Sequence, residues 1–167
     1  MAGKILTSLP LDIEENLLIL TNNLRELGVT HIGHGLIVNS LKPTAFFSCK
    51  NWANRYDDED LVSRDPIRAC ALNTNFQIVP WDYIPSNKEQ KPVLDERKRE
   101  FCAKTGLLIS VKHKQFHETF VFGTDSKKYD ITHFFSKNSR ILIEHLLMFR
   151  KEHMRYYSNN DDADAKQ

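Results

Sequence analysis

The amino-acid sequence predicts an α/β/α sandwich, a central antiparallel sheet of about five strands flanked by helices. Three observations point there. Segments rich in β-branched and aromatic residues come next to one another instead of strictly alternating with helical segments, which favours hairpins and antiparallel pairing. Stretches near both ends of the chain carry apolar residues at helical spacing, so each offers one face to a sheet. The 167 residues are 41% hydrophobic and 27% charged, enough for one ordinary core and too few for two full domains.

Leu11 to about Leu27 sets Ile13, Leu17, Leu20, Leu24 and Leu27 at helical spacing, with Pro10 near the start and Gly28 just past the end. Thr30–Asn39 and Thr44–Cys49 read as two strands joined by the turn residues Ser40, Lys42 and Pro43, a hairpin. Asn51–Leu61 is polar and helical, and Pro66 opens a further short helix because proline is tolerated in a first turn. A short strand, Phe76–Trp81, leads through a loop (Pro85–Pro92) to a helix over about Leu94–Lys104. Two strands follow, Leu107–Lys112 and Glu118–Gly123, and then a last helix over about Ile131–Tyr156. Residues 1–157 are expected to form the domain, and 158–167, polar and acidic, a disordered tail or linker.

Composition removes several classes of function. Lys plus Arg number 23 against 22 Asp plus Glu, and a formal charge of +1 gives no global attraction to nucleic acid. Apolar runs such as Leu17–Leu20 and Gly106–Val111 fall far short of the roughly 20 residues of a membrane helix. Met1–Pro10 lacks the apolar core of a secretory signal. Cys49, Cys70 and Cys102 are odd in number and form no CxxC pair, so a reducing cytoplasm is the expected setting and the cysteines read as small buried hydrophobes. The GxGxxG, GxxxxGK[ST] and GxSxG patterns are missing, so the chain reads as a non-enzyme without a cofactor. His113 and His117 have metal-like spacing only on a helix, and they fall in strand and loop, so no metal is expected. His31 and His34 face opposite sides of a strand and read as structural or exposed. Arg97, Lys98 and Arg99 stand among acidic neighbours and read as a solvated helix face.

The informative stretch is Lys50–Trp81. Trp52 and Tyr56, four apart on a helix, project from one face, and Asp65 follows beside Pro66. An indole that only donates, a phenol that donates or accepts and a carboxylate that accepts could converge there. As plain structure, Trp52 and Tyr56 are core anchors and Asp65 a helix N-cap.

The spacing W-x3-Y-x8-D-P, followed by a Trp after a hydrophobic stretch, resembles the autoinducer-binding domain of LuxR-type quorum-sensing receptors, which bind N-acyl-homoserine lactones. The resemblance implies a PAS/GAF-like sensor fold and a ligand held by Trp52 (lactone carbonyl), Tyr56 (amide carbonyl) and Asp65 (amide N–H), with Trp81 against the lactone ring. Such a ligand needs about three directed hydrogen bonds, and its tail gains about 0.8 kcal/mol per buried CH₂. The ten Phe residues could help line the slot for that tail. Ser48 stands where many of these receptors have a Tyr, and Ser110 and Thr124 are candidate pocket hydroxyls.

Trp81 lies sixteen residues after Asp65, one more than the family pattern. The helix-turn-helix module of such regulators is not within these residues, so no direct DNA binding is expected of them. They read as the sensor part of a longer regulator or as a stand-alone relative. The resemblance further implies a homodimer, or a heterodimer with a LuxR-type regulator, and no membrane partner. The alternative reading is a ligand-independent interaction module, an anti-activator that pairs with a full-length regulator. An enzyme acting on a lactone or amide through Asp65 and a histidine has no nucleophile motif behind it.

Overall fold

The computed structural model describes residues 5–39, 41–59, 61–125 and 130–164, so the predicted turn residue Ser40 lies outside the described residues. Its centre is a five-stranded sheet in the order β2-β1-β5-β4-β3. The strands are β1 (Val29–Val38), β2 (Thr44–Phe47), β3 (Phe76–Pro80), β4 (Thr105–Lys112) and β5 (Phe116–Thr124), and every neighbouring pair is antiparallel.

Helices cover both faces. One face packs on α1 (Leu11–Arg25) and α6 (Ile131–Asp164), the other on α2 (Lys50–Asp58), α3 (Leu61–Arg64), α4 (Pro66–Leu72) and α5 (Lys91–Glu100). Strand alternation divides the core accordingly. Ile32, Phe46, Ile109, Phe120 and Phe122 join the α1–α6 side, while Ala45, Leu108 and Val121 join the side of α2 to α5.

The element boundaries have local causes. Gly28, at φ 90°, ends α1 in a conformation that costs other residues, and its N–H bonds Arg25 C=O at 2.9 Å. Asp65 caps α4, its Oδ1 accepting from Ile67 N–H at 2.9 Å, with Pro66 behind it. Helix α5 starts at Lys91, earlier than expected, because Pro92 sits in its first turn instead of closing the preceding loop. Helix α6 continues past the expected end at Tyr156, so residues 158–164 are helical where a disordered tail was expected, and 165–167 lie outside the described residues. No glycine or proline follows Ile131 to stop it.

Gly106 and Gly123 are paired across β4 and β5, and a Cβ on Gly106 would overlap the Trp81 indole, while one on Gly123 would press on Ala103. The two glycines form the seat of Trp81, which is fully buried.

A buried polar chain ties α6 to the sheet. Thr44 Oγ1 lies 2.7 Å from His153 Nε2, His153 Nδ1 lies 2.8 Å from His34 Nδ1, and His34 Nε2 lies 2.8 Å from Glu118 Oε1. Glu118 Oε2 also accepts from Arg150 Nε at 2.9 Å. One proton at each contact satisfies every link, with His34 Nε2–H donating to the carboxylate. Among the described residues no helix is long and apolar enough to cross a membrane, and no group of three or more His, Cys, Asp or Glu could hold a metal ion.

Candidate functional site

A slot opens between the sheet and the helices α2, α4 and α5, with about 70 Å³ of space for water-sized contents. That is room for more than one water molecule, each needing roughly 10–15 Å³ on this measure. Gly33 and Gly35 of β1 form its floor. Because they occupy alternate positions of one strand, both leave the same face of the sheet bare. A Cβ on Gly35 would meet nothing closer than 3.8 Å, so a longer side chain there would grow into the slot. Ile5, Ala45, Phe47, Ile67, Leu72 and Val121 make most of the wall apolar.

One end of the slot is polar. Asp65 Oδ2 accepts from Tyr56 O–H at 2.7 Å and from Arg97 at 2.5 Å, and all three side chains line the slot. Asp65 and Arg97 are 4% and 2% exposed, a buried ion pair in which each charge depends on the other. Burial, then the adjacent Asp65 charge, pushes the Tyr56 phenol well above its usual range, so it remains a neutral donor.

Next to this pair lies an aromatic cluster. Arg97 Cζ sits 5.2 Å over Trp52 and 6.0 Å from the Phe47 centroid. Trp52 meets Phe101 edge to face at 5.3 Å, and His31 stacks on Phe101 at 3.4 Å with a 7° interplanar angle. His31 Nδ1 is 3.1 Å from Ser48 Oγ, which also accepts from Ile32 N–H at 3.0 Å. Burial first, and then the Arg97 charge, holds His31 well below the usual histidine range, so the ring is neutral.

The expected site residues divide. Tyr56 and Asp65 come together at the slot, and Trp52 stands behind Arg97 with its indole N–H unpartnered. Ser48 is turned into β1 and orients His31. Trp81 lies on its glycine seat and does not line the slot. Ser110 Oγ donates to Ala71 C=O at 3.0 Å and lies 3.1 Å from His117 Nε2, also outside the slot lining. Thr124 has the strand parity of Phe120 and Phe122 and therefore faces the α1–α6 side, away from the slot.

Three sequence expectations need correction. Arg97 is buried and not part of a solvated face, because Val93, Leu94, Arg97 and Phe101 share one side of α5 and of the chain leaving it. Its helical spacing from Val93 and Leu94 was the available signal. Cys102 is exposed, at φ 50°, where the chain leaves α5. Of the ten Phe residues only Phe47 lines the slot, since strand parity sends Phe46, Phe120 and Phe122 to the opposite core.

Set beside known proteins, this architecture has clear structural neighbours. The VqsR LBD domain of Pseudomonas aeruginosa superposes with a TM-score of 0.60 at 13% identity, over 87% of this chain and 92% of that one. CepR2 of Burkholderia cenocepacia, an N-acylhomoserine lactone dependent LuxR family transcription factor, gives 0.58 at 15% identity, over 87% and 93%. The chain has the fold of these LuxR-family structures. Escherichia coli SdiA gives 0.56 at 17% identity, over 87% of this chain but 62% of that one, and SdiA has also been solved in complex with octanoyl-rac-glycerol. At these identities the likeness to the LuxR family is one of fold. No protein-family model and no curated protein sequence matches the chain.

Proposed function

We propose that the chain is a quorum-sensing type signal-binding domain, which encloses the acyl tail of a small polar-headed ligand between the sheet and α2, α4 and α5. The observation that carries this reading is the slot itself. Its wall is mostly apolar, Gly33 and Gly35 form its floor, and Tyr56, Asp65 and Arg97 stand at one end. A tail would be held by area and a head by directed hydrogen bonds. The ligands to try first are N-acyl-homoserine lactones, on which CepR2 depends, and octanoylglycerol, which SdiA holds. Binding would change how the domain engages its partners and so control a transcriptional response.

The test is thermal unfolding of the chain with a panel of both compound types. A ligand that binds only the native state raises the melting temperature by mass action. A selective rise, reduced in Trp52→Phe, is the expected result. No shift with any member, in protein that mass spectrometry finds free of copurified ligand, would contradict the proposal.

A second reading is favoured by a specific observation. Leu11, Leu18 and Ile19 on α1 and Ile141, Leu147 and Met148 on α6 are exposed. Such apolar surface suits a partner, and the alternative function is a ligand-independent module that pairs with a LuxR-type regulator or with itself. Sedimentation that shows the same association with and without the panel would support it.

A further inference from the structure

We infer that the ligand of this slot carries a carboxylate, bound by Arg68 over Gly35 and Thr119, at a second polar position one helical turn beyond Asp65. The inference rests on the signal-binding reading and specifies its ligand: an acyl chain with an anionic group.

The first ground is the charge balance of the slot. Two guanidiniums, Arg68 and Arg97, and one carboxylate, Asp65, line it. Asp65 and Arg97 are paired at 2.5 Å, which leaves the Arg68 charge uncompensated. Elsewhere the chain supplies its arginines with carboxylates: Arg55, Arg97, Arg99, Arg140, Arg150 and Arg155 all stand in ion pairs. Among the described residues Arg68 makes no ion pair and no side-chain hydrogen bond. Arg25 and Arg64 are also outside ion pairs, but they are exposed and solvated, whereas Arg68 is half-buried. A guanidinium partly withdrawn from water and without a counter-charge favours an anion, and its planar fork matches a carboxylate bidentately.

The second ground is what surrounds that charge. Helix α4 spans the slot from its cap Asp65 to Ala71, whose C=O accepts from Ser110 Oγ at 3.0 Å, and Arg68 lies midway along it. On the sheet below, β1 and β5 pair Gly33 with Val121, Gly35 with Thr119 and Ile37 with His117. Tyr56 packs on Phe47 at 4.8 Å, and Phe47 pairs with Gly33, so the Asp65 end lies by Gly33 and the other three pairs lead away from it. Over Gly35 a Cβ would meet nothing closer than 3.8 Å, which leaves room for a ligand group beside the sheet. Thr119 lines this part of the slot, and its hydroxyl is without a partner among the described residues. The charges acting at the far end are of one sign. Burial lowers the His117 pKa most, the Ala71 C=O raises it, and the Lys112 and Arg68 charges lower it further. The Arg68 charge also acts on Tyr56, so it reaches both ends of the slot. Apart from Asp65 no acidic side chain lines the slot, so the balancing anion has to come with the ligand.

The decisive comparison changes charge. Octanoate and octanamide share size and tail, and N-octanoyl-homoserine differs from its lactone by the opened ring and the carboxylate it frees. Titration calorimetry on the full chain at neutral pH is expected to show the carboxylate of at least one pair binding about tenfold more tightly than its neutral partner. Which pair shows the preference tells a free fatty acid from a ring-opened acyl-homoserine as the source of the carboxylate. Arg68→Gln is expected to abolish the preference and Arg68→Lys to keep part of it. Both variants are expected to hold the wild-type urea midpoint, because Arg68 has no ion-pair partner to lose. If the neutral compounds bind as tightly as the carboxylates or more so, the inference is overturned while the signal-binding reading stands. If Arg68→Gln keeps the preference in folded protein, the assignment to Arg68 is overturned. If no compound of either charge binds, both the inference and the reading beneath it fall.

Discussion

Arg97 decides the electrostatics of the slot, and it does so through Asp65. Two charges this deeply buried are held by each other, and removing one leaves the other without solvent or partner. Asp65→Asn is therefore expected to cost about 3–5 kcal/mol of stability, read as a lower urea midpoint. An unchanged midpoint would mean that the pair is not formed. It follows that Asp65→Asn is a poor probe of ligand binding and that Trp52→Phe is the cleaner one. Two histidines give a second residue-level expectation. Burial lowers His31 and His153 well below the usual histidine range, with the Arg97 charge adding to the first and His34 to the second. Their folded pKa values lie below the unfolded value of about 6.5, so the unfolded state takes up more protons as acid is added. Stability is whole above pH 6.5 and is lost as pH falls through it. Each histidine is expected to lower stability as the pH falls from 7.5 to 5.5, and His153→Gln should remove its share of the slope in urea titrations. A flat profile would contradict neutral buried rings. Tyr56 and Asp65 were legible as candidate site residues because their spacing from Trp52 is distinctive, whereas Arg97 was hidden among charged neighbours that are exposed or half-buried.

At the scale of elements, glycine positions separate folding from binding. Gly106 is covered by the Trp81 indole, and Gly35 borders open space. Gly106→Ala is expected to lower stability by about 1–3 kcal/mol through overpacking, with or without ligand. Gly35→Leu is expected to fold and to fill the slot. Differential scanning calorimetry of both variants checks the contrast, and a stable Gly106→Ala would contradict the seat described for Trp81. All five strands were readable from β-branched and aromatic residues bounded by turn residues, and most helices from apolar residues at helical spacing. The misread ends follow from chemistry that a periodic pattern does not carry: Pro92 inside a first turn, and a polar stretch without a breaker that continues α6. Thr124 faces the other core because facing depends on strand register, which comes from pairing partners distant in sequence, and Ser110, on the slot's side of the sheet, is taken up by Ala71 C=O of α4.

At the scale of the whole molecule the sheet separates two cores with different contents. The α1–α6 side is filled by Phe46, Phe120, Phe122, Phe134 and Phe149, and its polar chain from Thr44 to Arg150 is internally satisfied. The opposite side holds the slot, the Asp65–Arg97 pair and the unpartnered donors. A core filled by packed rings on one face and an open slot on the other are what a rigid support and a binding face should show. The central claim is that an acyl ligand occupies the slot over Gly35. The most direct measurement is the melting temperature of the wild-type chain and of Gly35→Leu, each with and without N-octanoyl-homoserine lactone and 1-octanoylglycerol. A rise in the wild type with at least one compound, absent in Gly35→Leu of normal intrinsic stability, is the expected result. Equal rises in both proteins, or none in the wild type, would contradict the claim.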